Sequence, residues 1–289
     1  MAGWLALEGS FWRTMAQRGA RGPQWFVRVA APATGLVVCA LAPGPRRVIA
    51  ANLRRMRQKR APLRDTVDVA RTFVNYASCL ADSLGSDAGH APPAQTIVRG
   101  ELYMQDALAA GRGVVLVTAH TAGWEIVGPV LARRQSRPVT VVEAPERDAA
   151  AGAIQDGARR APGLQLAHAG GDPMAAIGLA QQLREGGVVA VQIDRAPKHA
   201  RARSVTLFGE AACVPEGPLR LATLTGAPMV PAFASRSGHR RYEVSVRPPV
   251  FLARSAGDAD LDRAAQHLAR ELETFVLAHP TQWFHFRSV

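Results

Sequence analysis

The sequence predicts an α/β fold: a mixed, largely parallel sheet flanked by helices, preceded by a helical, membrane-associating N-terminal extension. Three observations support it. Short β-branched runs alternate with helical periodicities from about residue 91 onward, the pattern of strands joined by crossover helices. The 289 residues are 48% hydrophobic, enough to bury a large core. The charge is lopsided: residues 1–64 carry twelve Lys or Arg side chains against one acid, Glu8, so +11 of the net +12 sits there and the remainder is nearly neutral.

Taken in order, Trp4, Leu7, Phe11 and Met15 recur at spacings of three and four, one face of a helix, and Trp12, Trp25 and Phe26 lie nearby. Arginine on one side with Trp and Phe on the other suits a helix lying in a membrane interface. A plain core-packing helix with a solvated face is the bland alternative. A nucleic-acid arm would be polar throughout, so no nucleic-acid partner is expected. Residues 25–42 are mostly apolar but interrupted by Arg28, Pro32 and Gly35, which predicts a shallowly inserted or re-entrant hairpin more than a transmembrane helix. Ala40, Leu41 and Ala42 have signal-peptidase character, but the charged region before them is too long for a signal peptide. Ile49, Leu53 and Met56 stripe a very basic helix, and Val67, Ala70, Val74 and Ala77 mark another over about 63–84. Residues 85–93 have linker composition. The expected division is therefore an extension, 1–90, and an α/β domain, 91–289.

In the second part, strands are predicted over 114–118, 139–143, 164–167, 188–193, 229–233 and 242–246. Helices are predicted over 102–110, 124–134, 149–160, 174–184, 218–225 and 261–278. Cys39, Cys79 and Cys213 are scattered and odd in number, which predicts neither a disulfide framework nor a zinc site and fits a reducing cytoplasm. No metal or other cofactor is expected.

The absent motifs narrow the chemistry. The sequence has no G-x-S-x-G elbow and no Walker A motif, and Gly111 and Gly113 precede a strand instead of following one. Cys213 is either a nucleophile or a buried structural cysteine. What remains is His120, just after the apolar run Val114–Thr118, with Glu125 five residues on. Open α/β sheets place chemistry at the carboxyl ends of their strands. A His there, followed by a turn and a Glu at a helix start, gives a general base whose tautomer the Glu fixes. The bland alternative is a surface His beside a helix-capping Glu. With no nucleophilic Ser or Cys beside it in sequence, His120 would take its proton from the substrate, most simply an alcohol attacking an activated acyl group.

Asp194 ends a second buried run and either orients the acceptor or an Arg, or caps a turn. Arg195, Lys198, His199, Arg201 and Arg203 follow as a basic stretch suited to an acidic carrier protein, a lipid headgroup or plain solvent. Gly217, in Pro215-Glu216-Gly217-Pro218, either directs backbone N–H groups at a donor or begins a helix. Arg159 or Arg160 either meets a phosphate or ends a solvated helix. Trp283 and Phe284 are read as core or interfacial packing, with substrate contact as the alternative.

Six ordered blocks then resemble the bacterial lipid A biosynthesis acyltransferases, within the lysophospholipid acyltransferase superfamily. RRVIAANLRRM and ARTFVNYASCL are similar to its N-terminal helices, and TAHTAGWEIVG to its HX4(D/E) signature. GGVVAVQIDR, LFGEAACVPEGPLRLATLTGAPMVPAF and PTQWFHF are similar to later blocks in the same order. Ala122, Asp194-Arg195 and the basic loop depart from the family pattern.

The resemblance implies a catalytic dyad of His120 and Glu125; Asp194, Arg195, Gly217 and Arg159 are, on their own chemistry, the candidate substrate-binding residues. It implies an acyl thioester donor, on acyl carrier protein or coenzyme A, and a lipid or glycolipid hydroxyl acceptor. Transfer is direct, without a covalent acyl-enzyme, at the cytoplasmic face of the inner membrane, an anionic surface. A non-lipid-A acceptor (an ornithine-type lipid, a lysophospholipid or a polyketide-like chain) is the nearest alternative. A non-catalytic membrane scaffold that docks a carrier protein is another.

Overall fold

A computed structural model describes residues 10–56, 62–87, 93–126, 128–129, 137–143, 164–168, 173–196 and 200–286. Its elements run α1 (Ser10–Ala20), α2 (Gln24–Leu41), α3 (Pro43–Met56), α4 (Pro62–Asp87), β1 (Gln95–Arg99), α5 (Glu101–Ala109), β2 (Val114–Thr118), β3 (Val139–Glu143) and β4 (Leu164–His168). They continue with α6 (Pro173–Arg184), β5 (Val188–Gln192), β6 (Ala202–Leu207), β7 (Glu210–Pro215), α7 (Gly217–Thr225), β8 (Met229–Gly238), β9 (Arg241–Val246) and α8 (Asp258–Ala278). A 3-10 turn, Pro280–Gln282, follows.

Seven strands form one sheet in the order β1-β9-β8-β2-β5-β3-β4. Every pairing is parallel except β8 with β9. The fold is α/β with a mixed, mostly parallel sheet, as the alternation of strand and helix patterns predicts. β2 and β5 sit at its centre and are β-branched on both faces, as a strand covered on two sides must be. Side chains alternate across β2: Val115 and Val117 join one buried cluster, Val114 and Leu116 the other. On the first face lie α3, α4, α7 and α8, the last burying Leu261, Ala265, Leu268, Leu272 and Val276 at helical spacing. On the second face lie Met104 and Ala107 of α5, with Trp124 beside them.

Two segments run differently from the sequence reading. β1 is an extra strand on the sheet's edge, half-exposed along its length, so no buried run announces it. Residues 202–215, whose start was read as a basic loop, form the antiparallel hairpin β6–β7. Tertiary contact makes this hairpin: Gln266 of α8 accepts the N–H of Thr206 and donates to its carbonyl, and Glu273 accepts the N–H of Phe208.

The N-terminal helices share the body's core. Ile49, Leu53, Val69 and Phe73 belong to the same buried cluster as Val117 and Leu268. Asn52 donates to the carbonyl of His285 and Asn75 to that of Thr281. Asp82 of α4 is fully enclosed and accepts from Tyr242, from the guanidinium of Arg236 and from the main chain of Arg240.

α2 is one continuous helix across Pro32, and α3 follows it at once. It lies so close to α4 that a Cβ on Gly35 would sit 2.7 Å from the Phe73 carbonyl oxygen. Its outward face exposes Trp25, Phe26, Val29, Leu36, Val37 and Leu41. By length and composition it is the one helix among the described residues able to cross a membrane. Trp4 and Leu7 of the predicted interfacial stripe lie outside the described residues.

Candidate active site

The site is built where β2 and β5 end. Ile193 donates its main-chain N–H to the Thr118 carbonyl, carrying the β2–β5 ladder one residue further and bringing Asp194 level with His120. The chain then turns sharply after His120. Gly123 takes φ +85°, and a Cβ there would lie 2.2 Å from the Tyr242 ring, so both conformation and space require glycine.

The C-terminal segment clamps this turn. Thr121 pairs with Trp283 in an antiparallel bridge. Phe284 donates to the His120 carbonyl at 2.7 Å, and Ala122 donates to that of Gln282. The guanidinium of Arg195 donates to the Phe284 carbonyl at 2.5 Å, tying the same segment to the end of β5.

His120 Nδ1 lies 2.8 Å from Asp194 Oδ1, and the main-chain N–H of His120 points at the same carboxylate. Trp283 Nε1 donates to Asp194 Oδ2 at 3.0 Å, and His285 Nε2 lies 2.9 Å from the Asp194 carbonyl oxygen. The Asp194 side chain has no solvent exposure. Burial, the strongest single influence, works to raise its pKa; the charge and hydrogen bond of His120, with the charges of Arg195 and His285, outweigh it. The carboxyl is therefore held well below the ordinary carboxylate range.

An ionised carboxylate only accepts, so Nδ1 carries a proton, and in the neutral imidazole Nε2 is then the acceptor. The imidazole is about a quarter exposed, so Nε2 can meet a substrate. This is the wiring of a general base with an orienting acid.

The sequence reading gave the orienting role to Glu125. The geometry gives the bond at Nδ1 to Asp194. Glu125 is half-buried on the helical turn that begins at Trp124. Its charge helps raise the thiol of Cys79 on α4, which burial chiefly, then Asp82 and Glu125, push up to about 12 against the opposing pull of Arg236 and Tyr242.

The other predicted residues are placed as follows. Arg195 stands beside Asp194 and lines a cavity of about 280 Å³ under the β6–β7 hairpin, together with His285 and the exposed thiol of Cys213. Gly217 opens α7; next to it Glu216 pairs with Arg203 and Arg220, and Asp258 on α8 joins both arginines. None of those pairings involves His120 or Asp194. Arg159, Arg160, Lys198 and His199 lie outside the described residues. Trp283, whose bond to Asp194 the sequence reading did not foresee, and His285 are the residues it missed. Their signal is the alternation Trp283-x-His285, which puts both on one side of an extended segment.

On the opposite face of the sheet lies an apolar cavity of about 310 Å³. Six adjacent strands line it, from Val98 on β1 through Val246, Ala232, Leu116 and Ala190 to Val141 on β3. At about 4.8 Å per strand the lining spans roughly 24 Å. Thr118, Gln192 and Trp124 line the part beside the His120 turn, and the Trp124 ring stands edge-on to the imidazole at 6.3 Å between centroids.

An open α/β sheet thus carries a His–Asp pair at its carboxyl edge beside a long apolar cavity. Residues 88–288 match the model of the bacterial lipid A biosynthesis acyltransferases, and the chain belongs to that family.

The phosphatidylinositol mannoside acyltransferase of Mycobacterium tuberculosis is 29% identical over 188 residues, 65% of this chain and 57% of that protein. The protein of the same name from Mycolicibacterium smegmatis is 28% identical over 182 residues, 63% of this chain and 58% of its own length. The chain thus matches somewhat more than half the length of these relatives. A solved 1-acyl-sn-glycerophosphate acyltransferase, PlsC from Thermotoga maritima, aligns over 87% of this chain and 96% of that one, at 12% identity and a TM-score of 0.41.

Proposed function

We propose that this protein transfers a fatty acyl group from a thioester, carried by coenzyme A or an acyl carrier protein, to a hydroxyl of a membrane glycolipid or related lipid. The observation that carries this reading is His120, oriented by the buried carboxylate of Asp194 and standing beside a 310 Å³ apolar cavity. The cavity takes the acyl chain, and His120 Nε2 faces the thioester end. The acceptor hydroxyl attacks the carbonyl carbon while Nε2 removes its proton, giving a tetrahedral oxyanion. Collapse breaks the C–S bond, and the thiolate takes the proton back from the imidazolium. Asp194 stabilises that imidazolium without itself being protonated.

The acceptor is read as a glycolipid of the lipid A or mannosylated-lipid kind, since the family and the named relatives act on such lipids. The exposed apolar face of α2 and the basic residues of α3 support association with an anionic membrane, at the cytoplasmic face of the inner membrane. A non-catalytic scaffold would need neither the enclosed Asp194 nor the His120 wiring.

Lipid mass spectrometry of cells with and without the gene product tests this reading. A lipid species that loses one acyl group in the deletion, and regains it with wild-type protein but not with His120→Ala, supports it. Identical lipid profiles in all three strains contradict it. Purified protein incubated with labelled donor alone and then denatured should hold no label; stoichiometric label on Cys213 would replace direct transfer by a two-step route.

A further inference from the structure

Gln192 is the last residue of β5, two positions before Asp194, and its register partner on β2 is Thr118, two positions before His120. Val189, Val191 and Ile193 face the α8 side of the sheet, whereas Val188 and Ala190 face the apolar cavity. By that alternation Gln192 also faces the cavity, and it lines it. Its amide nitrogen Nε2 is buried and has no hydrogen-bond partner among the described residues. Leaving a buried amide N–H₂ unmet costs as much as a lost hydrogen bond, and native structures rarely tolerate it without a ligand or an ordered water. Leu116, Val141, Ala190 and Trp124 in the cavity wall offer no acceptor, and the side-chain oxygens of Thr96, Glu101, Gln105 and Thr118 that also line it make no hydrogen bond to Nε2.

We infer that Gln192 is a further catalytic residue, whose Nε2 donates a hydrogen bond to the carbonyl oxygen of the acyl thioester. The inference rests on the acyltransferase reading above. A saturated acyl chain brings one oxygen into an apolar cavity, the C1 carbonyl, and it brings it to the end beside His120, where Gln192 stands. The carbonyl oxygen gains negative charge as the acceptor attacks, so a fixed donor aimed at it strengthens toward the transition state. No proton moves at Gln192; it only donates the hydrogen bond.

The experiment compares two probes that differ in that carbonyl: palmitoyl-coenzyme A, and the S-hexadecyl thioether of coenzyme A, which has the chain but no C1 oxygen. Gln192→Met keeps the length of the side chain and removes the donor. Free coenzyme A release from palmitoyl-coenzyme A, with lipid vesicles from the deletion strain as acceptor, should fall about 10²-fold, as for loss of one oxyanion donor. Affinity for the thioether should stay within about twofold. In a His120→Ala background, which stops turnover, the infrared stretch of a ¹³C-labelled thioester carbonyl should lie at lower wavenumber with Gln192 than with Gln192→Met.

Release within about threefold of wild type, or an unshifted carbonyl band, overturns the assignment, the second by showing that Gln192 meets only water. A parallel fall in thioether affinity also overturns it, since that marks a residue which merely shapes the cavity wall. Wild-type protein releasing no more coenzyme A than His120→Ala would instead sink the acyltransferase reading. That outcome is separate, because the infrared band reports the hydrogen bond without turnover.

Discussion

Asp194 Oδ1 lies 2.8 Å from His120 Nδ1, although the two residues are 74 positions apart and reach each other from the ends of different strands. The same carboxylate holds the His120 main chain and the Trp283 indole. One fully buried acid therefore fixes the position of the imidazole, its tautomer and the C-terminal segment behind it.

The depressed pKa of Asp194 makes a stability prediction with a definite sign. A carboxyl whose folded value lies below its unfolded value of about 3.9 stabilises the fold above about pH 4 and loses that contribution as pH falls toward the folded value. Asp194→Asn should thus melt several degrees below wild type at pH 7, with the gap narrowing below about pH 4. Calorimetric scans of both proteins from pH 7 to pH 2.5 check this; a gap that stays constant across the range contradicts it.

Chain-length preference should follow the small residues of the cavity. Ala190 and Ala232 line it from the strands on either side of β2, and larger side chains there would fill it. Ala190→Leu and Ala232→Leu should each shift preference toward acyl donors several carbons shorter, with turnover of the best short donor within about threefold of wild type. Competition between donors of mixed length, read by mass spectrometry, measures this. An unchanged preference would mean that the acyl chain lies elsewhere.

Membrane binding should depend on the exposed face of α2 more than on charge. Burying each large apolar side chain contributes about 1.5–3 kcal/mol irrespective of salt, whereas electrostatic attraction is confined to about 3 Å at 1 M salt. The protein should stay with anionic vesicles in 1 M salt. Changing Trp25, Val29 and Leu36 together to Ser, all three exposed, should release it with little change in its melting temperature. Release of the wild-type protein by salt alone would make the tether electrostatic.

The strands and helices that position the site could be read from the sequence because their signals are local. β2 and β5 open on valine-rich apolar runs, and the apolar spacing of α8 survives any change of neighbour. The fold class follows from such patterns in order. The partner of His120 does not. Glu125 is near in sequence and Asp194 is far, and only the strand order, with β5 beside β2, decides which carboxylate meets Nδ1. Asp194 carried a visible mark, an acid ending a buried run, but not its destination. Trp283 and His285 reach the site through a C-terminal segment laid back across the catalytic turn, which no periodicity announces. The β6–β7 hairpin was illegible for a similar reason: its fit depends on Gln266 and Glu273 of a helix some sixty residues later.

The most direct test of the central claim is the turnover of three single variants and one double, measured as acyl transfer from palmitoyl-coenzyme A to vesicles of lipid extracted from the deletion strain. Loss of the general base in His120→Ala should cost at least about 10³-fold, within the 10²–10⁴ typical of such groups. Asp194→Asn should cost about 10²-fold or more, and the His120→Ala, Asp194→Asn double variant should be no worse than His120→Ala alone, because the pair acts as a unit. Glu125→Gln should cost less than Asp194→Asn. Near-wild-type turnover by Asp194→Asn, with turnover abolished in Glu125→Gln, would contradict the pairing of His120 with Asp194 as the catalytic unit.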